Sequence, residues 1–153
     1  MLTEDIFNNM NLLCVYDKGN FIKYNSNDNH YNIYVIKNNN DNNSYYVGLT
    51  WGYCFNRIKQ HLINNTNEIC ADGSVYLLEQ LDNKDFMRIM EKIWIRWFDK
   101  YSNCINKLKY NNEDFRCMEL NNIKKSNYIK LLNDNTIEPL SIQIGRCKIK
   151  LDI

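Results

Sequence analysis

Asn32-Ile33-Tyr34-Val35-Ile36, then a polar stretch over residues 38–43, then Ser44-Tyr45-Tyr46-Val47-Gly48-Leu49 is the part of this chain that decides its fold. Both runs are rich in β-branched and aromatic residues, which suit a pleated surface, and they read as strands over Asn32–Lys37 and Ser44–Leu49. The asparagines and the aspartate between them tolerate left-handed backbone, so the connection suits a hairpin. Gly48 closes the second strand, where a missing side chain lets another group come close.

Downstream, Tyr53, Phe55, Ile58, Leu62 and Ile63 recur at helical spacing. A helix over residues 53–63 puts Arg57 and His61, at i and i+4, on one face. Ser74–Gln80 reads as a third strand. Asp82 or Asn83 then caps the most strongly patterned helix, whose stripe is Phe86, Ile89, Met90, Ile93, Trp94, Trp97 and Phe98. Glu91 falls at the margin of that stripe, while Arg88, Lys92, Arg96 and Asp99 fall on the solvent side. Trp94 and Trp97 belong to the stripe and read as core. Upstream, Met10–Tyr16 suits a short strand or helix. Downstream of Asn106, residues 115–132 hold one helix, and residues 142–149 suggest two short strands turning at Gly145-Arg146.

At 153 residues and 44% hydrophobic content the chain suits one domain with a real core. About one residue in six is asparagine, which lowers the mean hydropathy; the asparagine runs read as loop filler. The formal net charge is only +1. Residues 32–106 are balanced, and residues 107–153 carry nine basic against six acidic side chains. Any grip on nucleic acid must therefore come from local features, the tail or a partner, because a broad basic surface is missing. Cys14, Cys54, Cys70, Cys104, Cys117 and Cys147 form no Cys-x-x-Cys pair. The opening residues, Met-Leu-Thr-Glu-Asp, are acidic where a secretory leader is basic. We expect free thiols, an intracellular setting and no membrane span.

The tripeptides Asn32-Ile33-Tyr34 and Tyr46-Val47-Gly48, the helical Arg57 with His61 one turn on, and Glu91 in Met-Glu-Lys-Ile-Trp-Ile resemble the GIY-YIG nuclease family over residues 31–107. Asn106, with Asn103 as competitor, matches the family's asparagine after the last core helix. Asn32 stands where the family has glycine, and the spacing from Tyr46 to Arg57 is one residue longer. The resemblance implies an α/β fold with a small, mainly antiparallel three-stranded sheet flanked by helices. It divides the chain into an N-terminal extension (1–30), the nuclease-like domain (31–107) and a C-terminal extension (108–153). It implies a metal-dependent DNA endonuclease with catalytic residues Tyr34, Tyr46, Arg57, His61, Glu91 and Asn106, and with Glu91 holding one Mg²⁺ or Mn²⁺. DNA is the implied partner, and a protein supplying target specificity is compatible with the near-neutral charge.

Taken singly, each residue has an ordinary reading: strand aromatics, a solvated helix face, a surface carboxylate. Their order along the chain favours chemistry. A non-cleaving DNA-binding module of the same fold and a protein-interaction domain are the alternatives, and cleavage and salt-sensitive binding separate them.

Overall fold

The computed structural model describes residues 6–8, 10–17, 20–23, 31–39, 44–51, 56, 57, 60, 72–81, 83–106, 126–134, 136, 137, 140–144 and 147–151. The two runs that opened the sequence reading form β3 (Tyr31–Asn38) and β4 (Ser44–Trp51), paired antiparallel with Tyr34 opposite Gly48. Asn38 Nδ2 donates to Ser44 Oγ at 2.9 Å, closing the hairpin end. β5 (Asp72–Leu81) pairs with the other side of β3.

The expected three-stranded sheet is in fact six-stranded. β1 (Asn11–Asp17) lies against β5, and β2 (Asn20–Lys23) lies outside β1. A two-residue β6 (Asn103–Cys104) runs parallel to β4, which makes the order β2-β1-β5-β3-β4-β6. The physical reason is the edge of β5. Left unpaired, its backbone donors and acceptors need other partners, and the Leu12–Tyr16 run supplies them. Residues expected as an N-terminal extension are thus part of the same sheet.

Period-2 alternation gives the sheet two apolar faces. Ile33, Val35, Tyr45 and Val47 face one way; Tyr34, Ile36, Tyr16 and Val75 face the other. The first face is covered by α1 (Lys84–Tyr101), which buries Phe86, Met90, Ile93, Trp94, Trp97 and Phe98 as its stripe requires. Asn83 is its N-cap, with Oδ1 accepting from Phe86 N at 3.0 Å. Ser102 ends it, with its backbone N–H and its hydroxyl both donating to Phe98 O at 2.9 Å.

A second helix, α2 (Asn127–Asn133), adds Tyr128, Leu131 and Leu132 to the same core. This helix covers the end of the one expected over residues 115–132; residues 115–125 lie outside the described residues. β7 (Leu140–Ile144) and β8 (Cys147–Leu151) form a separate antiparallel hairpin at the expected place. Cys14 and Cys104 are buried free thiols. No helix among the described residues is long and apolar enough to cross a membrane.

Gly48 shows why a residue without a side chain is needed there. A Cβ at that position would overlap Cζ and Oη of Tyr34, whose ring lies across it. Gly73 receives Tyr16, its register partner, in the same way. We expect Gly48→Ala to lower unfolding free energy by about 1–3 kcal/mol through overpacking. In a Tyr34→Ala background the same change should be neutral or stabilising, because the clash is gone and alanine restricts the unfolded chain. Denaturant unfolding of the four-variant cycle measures this, and additivity of the two changes would sink the account.

Candidate active site

Tyr46 is the residue on which the site converges. It stands on the β4 face opposite α1, partly buried against the cluster of Tyr34, Ile36 and Val75. Burial pushes its phenol above the usual value; the carboxylate of Glu91 and the thiol of Cys104 add to the rise, and the guanidinium of Arg57 opposes it. The charges of Glu91 and Arg57, residues 34 positions apart in sequence, thus both act on Tyr46. Arg57 itself is exposed, with Nη1 donating to Gln60 Oε1 at 3.4 Å.

Glu91 lies at the edge of the buried stripe of α1, as its position in the sequence suggests. Desolvation pushes its carboxyl up to about 7, with the charges of Lys92 and Arg88 pulling the other way. No hydrogen bond to the Glu91 carboxylate from another described residue is among the contacts of the site. A half-buried carboxylate without a donor is disfavoured in its charged form until a cation arrives.

The structure separates the two tyrosines. Tyr34 is fully buried and packs over Gly48, whereas Tyr46 keeps part of its surface. It also separates the two asparagines. Asn106 Nδ2 donates to Val47 O at 2.8 Å, and Asn106 Oδ1 accepts from Val47 N at 2.9 Å. Cys104 Sγ donates to the same oxygen at 3.2 Å. Together with Ile105 N donating to Tyr45 O at 2.8 Å, these bonds continue β6 along the edge of β4. Asn106 therefore holds the backbone beside Tyr46, while Asn103 is exposed. His61 lies outside the described residues.

Asn32 is buried within β3, and its Oδ1 accepts from Gln80 Nε2 at 3.0 Å. The two are register partners on β3 and β5. A strand position that pairs its side chain across the sheet has a reason to be asparagine.

Sequence reasoning passed over Glu79, the most deeply buried carboxylate of the described residues. β5 carries a register shift opposite Ile33 and Tyr34, where Leu77 pairs with Tyr34 and Glu79 with Ile33. The extra residue, Leu78, is a bulge, and it re-aims Glu79 onto the α1 face beside Leu78. There Glu79 Oε1 accepts from Tyr128 N at 2.8 Å and from Trp94 Nε1 at 3.4 Å, and Oε2 accepts from Asn127 N at 2.9 Å. Asn127 Nδ2 donates to the bulge carbonyl, Leu78 O, at 3.0 Å. Burial nevertheless pushes the Glu79 carboxyl up to about 7 against these bonds and the charge of Lys130. The acidic residue near a buried strand end was the only signal in the sequence, and alternation assigns it to the wrong face.

Among the described residues no three His, Cys, Asp or Glu side chains cluster as a metal cage. Such a cage is what zinc needs; Mg²⁺ and Mn²⁺ keep several waters and take one or two carboxylates together with substrate phosphate. Glu91, half-buried at the edge of the α1 stripe, offers one carboxylate of the kind such a site takes. No family model, curated protein or solved structure matches the chain.

Proposed function

We propose that this protein is a metal-dependent endonuclease of GIY-YIG type that hydrolyses DNA phosphodiester bonds, with Tyr46 as its general base. The observation that supports it is a half-buried phenol, Tyr46, on which the opposite charges of Glu91 and Arg57 both act. Hydrolysis needs a positioned water, an acceptor for its proton, and positive charge on the phosphate as the bond to the leaving oxygen breaks.

Arg57 supplies planar donors to the non-bridging oxygens. The same guanidinium favours the ionised form of Tyr46. A phenol with the ordinary pKa of about 10 is ~3 units from neutral, or ~4 kcal/mol. Burial and the Glu91 charge make that gap wider in the metal-free protein. Glu91 would hold Mg²⁺ or Mn²⁺, which would supply Lewis-acid chemistry for the phosphate and offset the carboxylate charge that raises Tyr46. His61, four residues after Arg57 in the sequence, is the proposed further proton acceptor. Tyr34 and Asn106 act as positioning residues. Tyr34 fills the space over Gly48, and Asn106 clasps Val47 next to Tyr46. With a near-neutral surface, target choice comes from DNA structure or from a protein partner.

The test is nicking of supercoiled plasmid and branched DNA with Mg²⁺, Mn²⁺ or EDTA. Metal-dependent nicking is expected from the wild type. Tyr46→Phe should lower the rate at least about 100-fold, and Tyr34→Phe should stay within about threefold, because only the first removes a proton acceptor. Equal losses in the two variants would overturn the choice of base. A folded wild type that binds DNA but never nicks it is the non-cleaving module instead.

A further inference from the structure

α1 carries a cation at every fourth position: Lys84, Arg88, Lys92, Arg96 and Lys100. Lys84, Arg88 and Lys100 are exposed and Lys92 and Arg96 are half-buried, so the row lies outside the core stripe. At a rise of about 1.5 Å per residue, successive members stand ~6 Å apart along the axis and the row runs ~24 Å. Residues four apart are neighbours on a helix surface, and like charges so placed destabilise the helix. Lys100 has a local reason, since a cation in the last turn suits the helix dipole. Arg88, Lys92 and Arg96, in the middle turns, gain nothing from it, and the exposed acidic residues Asp85 and Asp99 lie towards the two ends. The middle of the row is also where it meets the candidate site. Glu91 falls between Arg88 and Lys92 in the sequence, and the charges of both act on its carboxyl.

We propose that Lys84, Arg88, Lys92, Arg96 and Lys100 form a track for the phosphate backbone of duplex DNA, running along α1 past Glu91. The inference rests on the nuclease reading above and adds to it the surface that holds the substrate. Charge complementarity selects the occupant. A duplex strand presents one phosphate per ~3.4 Å of its axis, so a row of ~24 Å spans about seven of them. The formal net charge of the whole chain is +1, and a ridge of five cations supplies locally the attraction that the overall charge does not. Arg88 and Arg96 bring planar forks that match phosphate oxygens, and the lysines bring point charges. A backbone laid along this row passes the carboxyl that the reading above gives to the metal.

The experiment is binding of a short fluorescein-labelled duplex to the full chain in EDTA, so that nothing is cut. Anisotropy titrations run from about 50 to 200 mM salt, where phosphate contacts dominate the salt dependence. Wild type is compared with Arg88→Gln/Lys92→Gln and with Lys148→Gln/Lys150→Gln, which removes the same charge from β8. Circular dichroism confirms that each is folded. The α1 variant should bind about tenfold or more weakly at the lower salt, and its slope of log K against log salt should fall in magnitude by about 2. The β8 variant should keep the wild-type slope. Exchanging the two cations, Arg88→Lys/Lys92→Arg, should keep both slope and most of the affinity.

Duplex binding and slope unchanged in the α1 variant would overturn the track. So would equal losses in the α1 and β8 variants, which mean attraction by total charge alone. Wild type that ignores the duplex and instead sediments with phosphatidylserine vesicles through Arg88 and Lys92 overturns it in favour of a membrane surface. The two readings fail separately. Metal-dependent nicking with duplex binding that does not need Arg88 and Lys92 removes only the track; duplex binding that needs them, without nicking by the wild type, removes only the nuclease.

Discussion

Glu91→Ala should remove metal-dependent cleavage, a loss of about 10³-fold in rate or more, and leave the protein at least as stable as the wild type above pH 7. The two halves of this expectation have one cause. The Glu91 carboxyl is desolvated at the edge of the core and its pKa stands at about 7, against an ordinary 4.5. For an acid whose folded pKa is raised, the stabilising contribution is complete below the unfolded value and is lost as pH rises through the folded one. Between pH 5 and pH 8 the wild type therefore loses stability that Glu91→Ala keeps, an amount of order 1–3 kcal/mol.

The same proton competes with a metal ion. Raising pH from 6 to 8 ionises Glu91 and should strengthen Mn²⁺ binding about tenfold, with no binding at this site in Glu91→Ala. Thermal unfolding at pH 5 and 8, Mn²⁺ titration followed by electron paramagnetic resonance, and plasmid nicking check the three parts. A Glu91→Ala protein that nicks like the wild type, or that is unfolded at pH 8, would end the assignment.

Glu79→Ala has the largest expected effect on stability. Its carboxyl, 3% exposed, accepts the first backbone N–H groups of α2 and the Trp94 indole N–H, so it ties the C-terminal helix to α1 and to the β5 bulge. Removing it leaves buried donors unsatisfied and a cavity beneath Trp94. At pH 5 we expect a loss of about 2–4 kcal/mol, or roughly 10 °C in melting temperature. The loss should shrink towards zero by pH 8. Burial raises the Glu79 carboxyl to about 7, so wild-type stability from this group is full below 4.5 and fades as pH rises through 7, by about 3 kcal/mol. Glu79→Gln should be less damaging, because it keeps one acceptor, and should flatten this share of the pH dependence. Melting curves from pH 5 to 8 on all three proteins decide it. A penalty for Glu79→Ala that does not change with pH would show that the carboxyl does not titrate in this range.

The residues of the candidate site were legible for local reasons. Tyr34 and Tyr46 alternate within strongly β-forming runs, and Glu91 sits at a definable margin of a 3.6-residue stripe, so their placement follows from periodicity. Which of Tyr34 and Tyr46 keeps open surface was not legible, since both have the same parity on paired strands. It follows from the register that lays the Tyr34 ring on Gly48 and leaves Tyr46 partly open. Likewise Asn103 and Asn106 are equivalent in the sequence, and only the pairing of β6 with β4 brings the Asn106 amide to Val47.

By itself the sequence determined the β3–β4 hairpin, the strand and capped helix that follow, the core tryptophans and the terminal hairpin. Each is specified by contacts within a few residues or by a repeating apolar pattern. Only the tertiary structure decided that the sheet has six strands, because β1 and β6 are recruited by unpaired backbone on distant strands. It alone decided the burial of Glu79, because a one-residue bulge reverses the face that alternation assigns. It alone decided that the charges of Arg57 and Glu91 both act on Tyr46, since electrostatic influence depends on how the elements pack and not on their separation in the chain.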